Sequence, residues 1–211
     1  MSKLINVPYI KQPKGSAKCG AACAAMLIKH YSDVRVELDS VWSEISQTSP
    51  ERDRQYCRTY KIGAYLNSNH FHCVTIRYSS LKDLLEFCND NGIAPIINHK
   101  SFEDPMGGHF SVVKNISEEY ALINDPENKK RVSVTLSDLE RMATKENDLD
   151  EVGGNTAIIP ILNKFPSASR KCPSCDTEIN TSFTVAINSE FNSNVVEAEL
   201  CQSCDVFNVV E

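Results

Sequence analysis

Lys18-Cys19-Gly20-Ala21-Ala22-Cys23-Ala24-Ala25-Met26-Leu27-Ile28-Lys29-His30-Tyr31 is the stretch from which the rest of the chain can be organised. From Gly20 to Tyr31 it is rich in Ala, Leu, Ile and Met and holds no Pro. A run that is apolar on most faces predicts a helix buried in a core. Cys19 stands at its first turn, behind a loop that begins at Ser16. The thiolate of a cysteine is the nucleophile, and a helix N-terminus or a nearby imidazolium lowers its pKa from about 8.5. Taken alone, Cys19 is equally a small buried core residue. Cys23 lies one turn deeper on the same face and is expected to be core.

Outward from this helix the pattern changes once. Asp39-Ser40 is placed to cap a short helix through Ile45. Gln55 to Leu66 predicts another helix, ended by Asn67-Ser68-Asn69, and the helical half closes near residue 70. Strands then dominate. Phe71 to Tyr78 and Ile93 to Asn98 predict strands that flank a helix from Leu81 to Asn91, capped by Ser80 and stopped at Gly92. After a loop over Lys100 to Gly108, the runs His109 to Ile116 and Tyr120 to Asn124 predict a hairpin across Ser117-Glu118-Glu119. A strand over Arg131 to Thr135, a helix over Asp138 to Ala143 capped by Ser137, and a closing strand over Ala157 to Leu162 follow. Asn163 to Arg170 has the composition of a linker, which sets a boundary near 165.

Three further residues suit a reaction at Cys19. His109 begins an apolar strand behind Gly107-Gly108, a place at a cleft edge. His99 is its one serious rival, at the end of a strand before a loop. Asp125 ends the neighbouring strand, where a carboxylate can accept from the imidazole and fix its tautomer. An ordinary Asp-Pro turn with Pro126 is the plain alternative, and Asn124 is a substitute orienter. Gln12 can donate its amide to the oxyanion that forms when a thiolate attacks a carbonyl. Seen alone, it is a loop residue.

Gln-x6-Cys-Gly-Ala-Ala-Cys-x-Ala-Met from Gln12, Gly-His-Phe-Ser-Val-Val from Gly108 and Ile-Asn-Asp-Pro from Ile123 together resemble the C39-type cysteine peptidases of the papain-like superfamily. Among these are the leader-peptidase domains of bacteriocin-exporting transporters. The resemblance covers about residues 5 to 162. It implies an α+β papain-like fold, a helical lobe packed on an antiparallel sheet. It implies Cys19 as nucleophile, His109 as general base and acid, Asp125 as orienter and Gln12 as oxyanion donor. Family members cut after a double glycine in a leader peptide. This chain departs from them: the Gln-to-Cys spacing is one residue longer than usual, no transporter segments follow, and a cysteine-rich segment comes instead.

That segment holds Cys172-Pro-Ser-Cys175 and Cys201-Gln-Ser-Cys204. Two such pairs are the ligand set of a tetrahedral four-cysteine site, so one structural zinc ion in a β zinc ribbon is expected, in preference to a redox pair. Phe183 to Ile187 and Val195 to Leu200 look strand-like. About 40 residues bury too little core to fold without the metal. The expected organisation is therefore a peptidase domain over 1–164 and a ribbon module over 165–211.

Composition narrows the partners. The 211 residues are 41% hydrophobic and 24% charged, enough apolar material for a core without disulfide staples. A net charge of −6 and the absence of Lys and Arg from 172 to 211 argue against nucleic acid. A peptide or protein substrate, with a protein partner at the ribbon, fits better. No apolar stretch reaches the roughly 20 residues of a membrane span, and the N-terminus lacks a secretory apolar region. With two Cys-x-x-Cys pairs among nine cysteines, a cytoplasmic location is expected. The leading expectation is a cysteine peptidase working through a thioester. The alternatives are an inactive papain-like peptide-binding adaptor, and a non-proteolytic amidase or acyltransferase on the same scaffold.

Overall fold

An eight-stranded antiparallel sheet runs through the centre of the molecule, and helices cover both its faces. The computed structural model describes residues 4–49, 54–103, 107–127, 129–144, 154–161 and 165–210. The helical half comprises α1 (Cys19–Ser32), α2 (Leu38–Ile45), a hairpin of β1 (Ser46–Ser49) and β2 (Arg54–Cys57), and α3 (Thr59–Asn69). There follow β3 (Cys73–Tyr78), α4 (Leu81–Asp90), β4 (Ile96–Lys100), β5 (Gly108–Ile116), β6 (Tyr120–Asp125), β7 (Lys129–Thr135), α5 (Leu136–Ala143) and β8 (Thr156–Pro160). The C-terminal segment adds β9 (Ser169–Lys171), β10 (Glu178–Asn180), α6 (Ser182–Phe191), β11 (Val196–Cys201) and β12 (Val206–Val209). The sheet order is β12-β11-β3-β8-β4-β5-β6-β7.

Alternation along the central strands sorts the core into two layers, because successive side chains of a strand point to opposite faces. Ile96, Val112 and Ile158 pack with α1, α2 and α3. Their neighbours Ile97, Val113 and Ile159 pack with α4, α5 and α6. The sheet is thus buried on both sides, which is why its strands carry apolar runs. Helix α1 is buried from Cys19 to Ile28 and lies against β5. This contact carries Cys19 to the strand that begins with Gly108 and His109.

Several local expectations are corrected. Gln55 to Leu66 is not one helix: Gln55 and Tyr56 pair with Thr48 and Gln47 in the β1–β2 hairpin, and Trp42 Nε1 donates to Gln55 Oε1 at 3.0 Å. The helix starts only after Arg58, whose backbone is extended. Phe183 to Ile187 is helix, not strand, with Phe183 and Ile187 buried one turn apart. The α5 cap is Thr135, not Ser137, since Thr135 Oγ1 accepts from the Asp138 N–H at 3.1 Å. Helix α2 begins at Leu38, ahead of the Asp39-Ser40 cap. Strand β4 begins at Ile96, after Pro95, which cannot donate to a ladder. Leu162, the predicted end of the closing strand, and part of the predicted linker lie outside the described residues.

The C-terminal segment joins the sheet. Glu199 of β11 sits opposite Ile76 of β3, and Phe183 of α6 meets the rings of Phe87 and Phe165 at 5.4 and 5.9 Å. Its two Cys-x-x-Cys turns lie beside the short β9–β10 hairpin and at the end of β11.

Candidate active site

Helix α1 opens without a side-chain cap, so its first backbone N–H groups are left to other partners at the end where Cys19 sits. Cys19 is buried. A Cβ added at Gly20 would lie 2.8 Å from Ile62 Cδ1, 3.2 Å from Cys57 Sγ and 3.4 Å from Phe110 Cδ2, so side chains of α3, β2 and β5 converge on the space that glycine leaves. Cys23 is fully buried, donates to the Phe110 carbonyl at 3.3 Å, and has its thiol pushed well up by burial and by the neighbouring Cys19. It is core, as its position on α1 predicts.

His109 Nε2 meets Asp125 Oδ1 at 2.7 Å, with both side chains buried. Cys19 lies near enough to the imidazole to act on its charge. With Nε2 held by the carboxylate, the nitrogen left for sulfur is Nδ1. Burial alone would lower the His109 pKa. The bond to Asp125 and the neighbouring Cys19 outweigh it and push the group up to about 10. Burial likewise raises Asp125, but the bond to His109 overrides it and holds the carboxyl below its ordinary 3.8. The Glu127 N–H donates to Asp125 Oδ1 at 2.9 Å, and the Glu127 carboxylate lies 4.0 Å from His109 Nδ1. Asn124 is not placed to orient His109: its amide donates to the Val7 carbonyl at 3.2 Å.

Gln12 is brought to the same corner. Its backbone N–H donates to the Pro126 carbonyl at 2.9 Å, and its Nε2 donates to the Ser16 carbonyl at 3.0 Å, three residues before Cys19. The side chain is buried with Oε1 unpartnered. An amide nitrogen carries two hydrogens, so one remains to donate. Cys57 and Glu127 are neighbours of the site that sequence reasoning missed. Glu127, two residues past Asp125, had a local signal. Cys57 had none, because only the β1–β2 hairpin brings it to Gly20.

The four sulfurs of Cys172, Cys175, Cys201 and Cys204 lie within 4.8 Å of one another, and these residues could hold a metal ion. Cys172 and Cys204 are 3.7 Å apart and Cys175 and Cys201 3.6 Å, far longer than a disulfide, and all nine cysteines are unbridged. A tetrahedron with metal–sulfur bonds of about 2.3 Å has edges of about 3.8 Å, so the spacing fits such an ion. Asp176 and Asp205 follow the two pairs with left-handed φ of 61° and 57°, so both turns close in the same way.

No curated protein sequence matches the chain. Among solved structures, the chain is similar to a double-glycine-motif protease from an AMS/PCAT transporter, crystallised with the leader peptide, at 24% identity and a TM-score of 0.52, covering 75% of this chain and 94% of that one. It is similar to a C39-like peptidase from Bacillus anthracis at 15% identity and TM-score 0.57, covering 77% and 98%. It is also similar to the peptidase domain of Streptococcus ComA, a bi-functional ABC transporter of a quorum-sensing pathway, at 16% and 0.56, covering 74% and 98%. Among the described residues, no helix is long and apolar enough to cross a membrane. The sequence profile of the Peptidase C39 family matches residues 6–145, most of the chain and all of the elements around Cys19, His109 and Asp125, so this chain belongs to that family and is a cysteine peptidase.

Proposed function

We propose that Cys19, His109 and Asp125 are the catalytic residues and that the enzyme cleaves a peptide bond in a peptide or protein. One observation carries this reading: the buried imidazole of His109 is bonded to Asp125 and has Cys19, at the start of α1, as its neighbour. A raised histidine beside a thiol favours the thiolate–imidazolium pair. The Cys19 thiolate attacks the substrate carbonyl, and the Cys19 backbone N–H and Gln12 Nε2 donate to the oxyanion. His109 then gives its proton to the leaving amine, and the thioester remains on Cys19. His109 next takes a proton from water, which attacks the thioester and frees the acid. Asp125 keeps the ring oriented throughout. The leader peptide bound by the AMS/PCAT protease supports an extended peptide segment as the substrate class.

The four-cysteine cluster binds one structural zinc in this reading. Its four thiol donors and its sulfur spacing support that, and using all four leaves no position open for chemistry. Residues 1–164 carry the reaction. Residues 165–211, acidic and without a basic residue from 172 on, present a protein substrate or partner. The unbridged cysteines support a reducing compartment, the cytoplasm.

Two measurements test the catalytic assignment. Cys19→Ala is expected to abolish cleavage with an unchanged circular dichroism spectrum. An electrophilic thiol probe is expected to label Cys19 in the wild type and to lose that labelling in His109→Ala. Cleavage at the wild-type rate by Cys19→Ala would overturn the reading.

A further inference from the structure

We infer that His99 is a positioning residue for the reaction, a second imidazole locked in place as a wall that fixes the plane of His109. The inference rests on the Cys19–His109 assignment above. His99 lies directly across from His109 in the β4–β5 ladder. It is fully buried. The two ring centroids are 5.3 Å apart with planes inclined at 72°, an edge-to-face contact. Turning His109 about its Cβ–Cγ bond changes this contact and draws Nε2 away from Asp125.

A wall has to be rigid and uncharged, and the contacts of His99 make it both. Nδ1 lies 2.6 Å from the Lys100 carbonyl oxygen, which can only accept, so Nδ1 carries a hydrogen. In the neutral ring Nε2 is then an acceptor, and the Ser111 hydroxyl 3.0 Å away donates to it. Phe102 packs on the ring at 5.0 Å. Burial, aided by the charge of His109, pushes the His99 pKa down to about 4, so the ring is neutral at neutral pH.

The titratable groups around the pair come from every element packed on it. Cys19 of α1, Asp125 of β6, Glu127 just beyond β6 and His99 of β4 face His109. Asp125 also acts on His99. Of these, Asp125 and Cys19 settle the charge of His109 against its burial, and His99 contributes orientation. A loosened His109 serves the Cys19 sulfur less well, so Cys19 reacts more slowly.

The test uses the full chain and iodoacetamide, with the alkylation rate of Cys19 followed by mass spectrometry across pH and with Tm recorded in parallel. His99→Ala is expected to move the acid limb of the alkylation profile up by about one pH unit, a tenfold slower reaction on that limb. His99→Phe keeps the ring without its nitrogens and is expected to stay within about threefold of wild type, a difference of about 0.65 kcal/mol. An unmoved limb in His99→Ala, whatever its Tm, means that His99 only supports the fold and overturns the proposal. A Phe variant as impaired as the Ala variant means that an aromatic ring at this place does not set the limb, and overturns it too. Should His99→Ala fail to fold, His99→Gln replaces it: a shifted limb in Gln beside a normal one in Phe supports the wall, and equal limbs overturn it. The thiol-probe loss in His109→Ala fails or succeeds independently of these arms, which separates this inference from the catalytic assignment.

Discussion

His109 takes its charge from two partners, and both leave a mark on the pH dependence of stability. Its pKa rises from an ordinary 6.5 to about 10 in the folded chain. A raised group stabilises the fold fully below its unfolded value and loses that contribution as pH climbs through its folded value. Asp125, lowered from 3.8, works in the opposite sense. Its contribution is present above 3.8 and disappears as pH falls through its lowered value. Tm is therefore expected to be highest between these ranges and to fall from near neutrality towards pH 10, beyond what other groups cause. His109→Gln removes the titrating ring and should flatten that alkaline fall. Parallel wild-type and variant curves across the alkaline range would show that the folded His109 is not charged there. On the catalytic side, Asp125→Asn keeps the shape and loses the charge. It should lower kcat by roughly 100-fold or more while KM changes little, read from steady-state kinetics on a cleaved peptide.

Helix α6 shows where element type escapes a local reading. Thr184, Val185 and Ile187 are β-branched, and Phe183, Val185 and Ile187 alternate as a strand would. The helix wins because Phe183 and Ile187, four apart, fill the layer against α4, while Val185 is left 53% exposed. Val185→Lys should then change stability by less than about 0.5 kcal/mol. Ile187→Ala should cost about 2–5 kcal/mol in denaturant unfolding, since it leaves a cavity among packed side chains. Similar costs at the two positions would instead fit a strand. The same competition decides β2, where a partner strand and the Trp42 bond to Gln55 override a helix-compatible sequence. Helix α1, the β5–β6 hairpin and the Ser80 cap of α4 were legible because the deciding contacts are local or strongly periodic. The same holds for the site. His109 and Asp125 lie 16 residues apart across one hairpin, and the four clustered cysteines announce themselves by spacing. His99 was visible as a histidine, but its role depends on a cross-strand register that no short window contains.

Across the whole molecule, the second Cys-x-x-Cys turn is seated on the element that shapes the surroundings of Cys19. Gln202 Nε2 reaches the Cys73 carbonyl at 3.4 Å, and Asn67 of α3 donates to Gln202 Oε1. Gly63 of α3 leaves the space that Gln202 fills, since a Cβ there would come within 2.8 Å of Gln202 Nε2. Asp205, next to Cys204, pairs with Arg58 at 2.7 Å. Arg58 directly follows Cys57, whose sulfur packs at Gly20 beside Cys19. Sequence alone did not reveal this seat, because β11 finds its partner β3 about 120 residues upstream, a separation that local signals do not span. An ion that binds only the folded turns stabilises the fold by mass action, by about 2.7 kcal/mol when its concentration is about a hundred times Kd. Removing the proposed zinc with a chelator, or replacing Cys201 by Ser, should therefore lower Tm by several degrees. It should also speed hydrogen exchange at the amides of 59–66 in α3 and slow the alkylation of Cys19. Arg58→Ala, which breaks a half-exposed pair worth at most about 1 kcal/mol, should move the same amides in the same direction by less. Faster exchange confined to the segment from β9 to β12, with α3 and Cys19 unchanged, would show that the ion holds only its own turns.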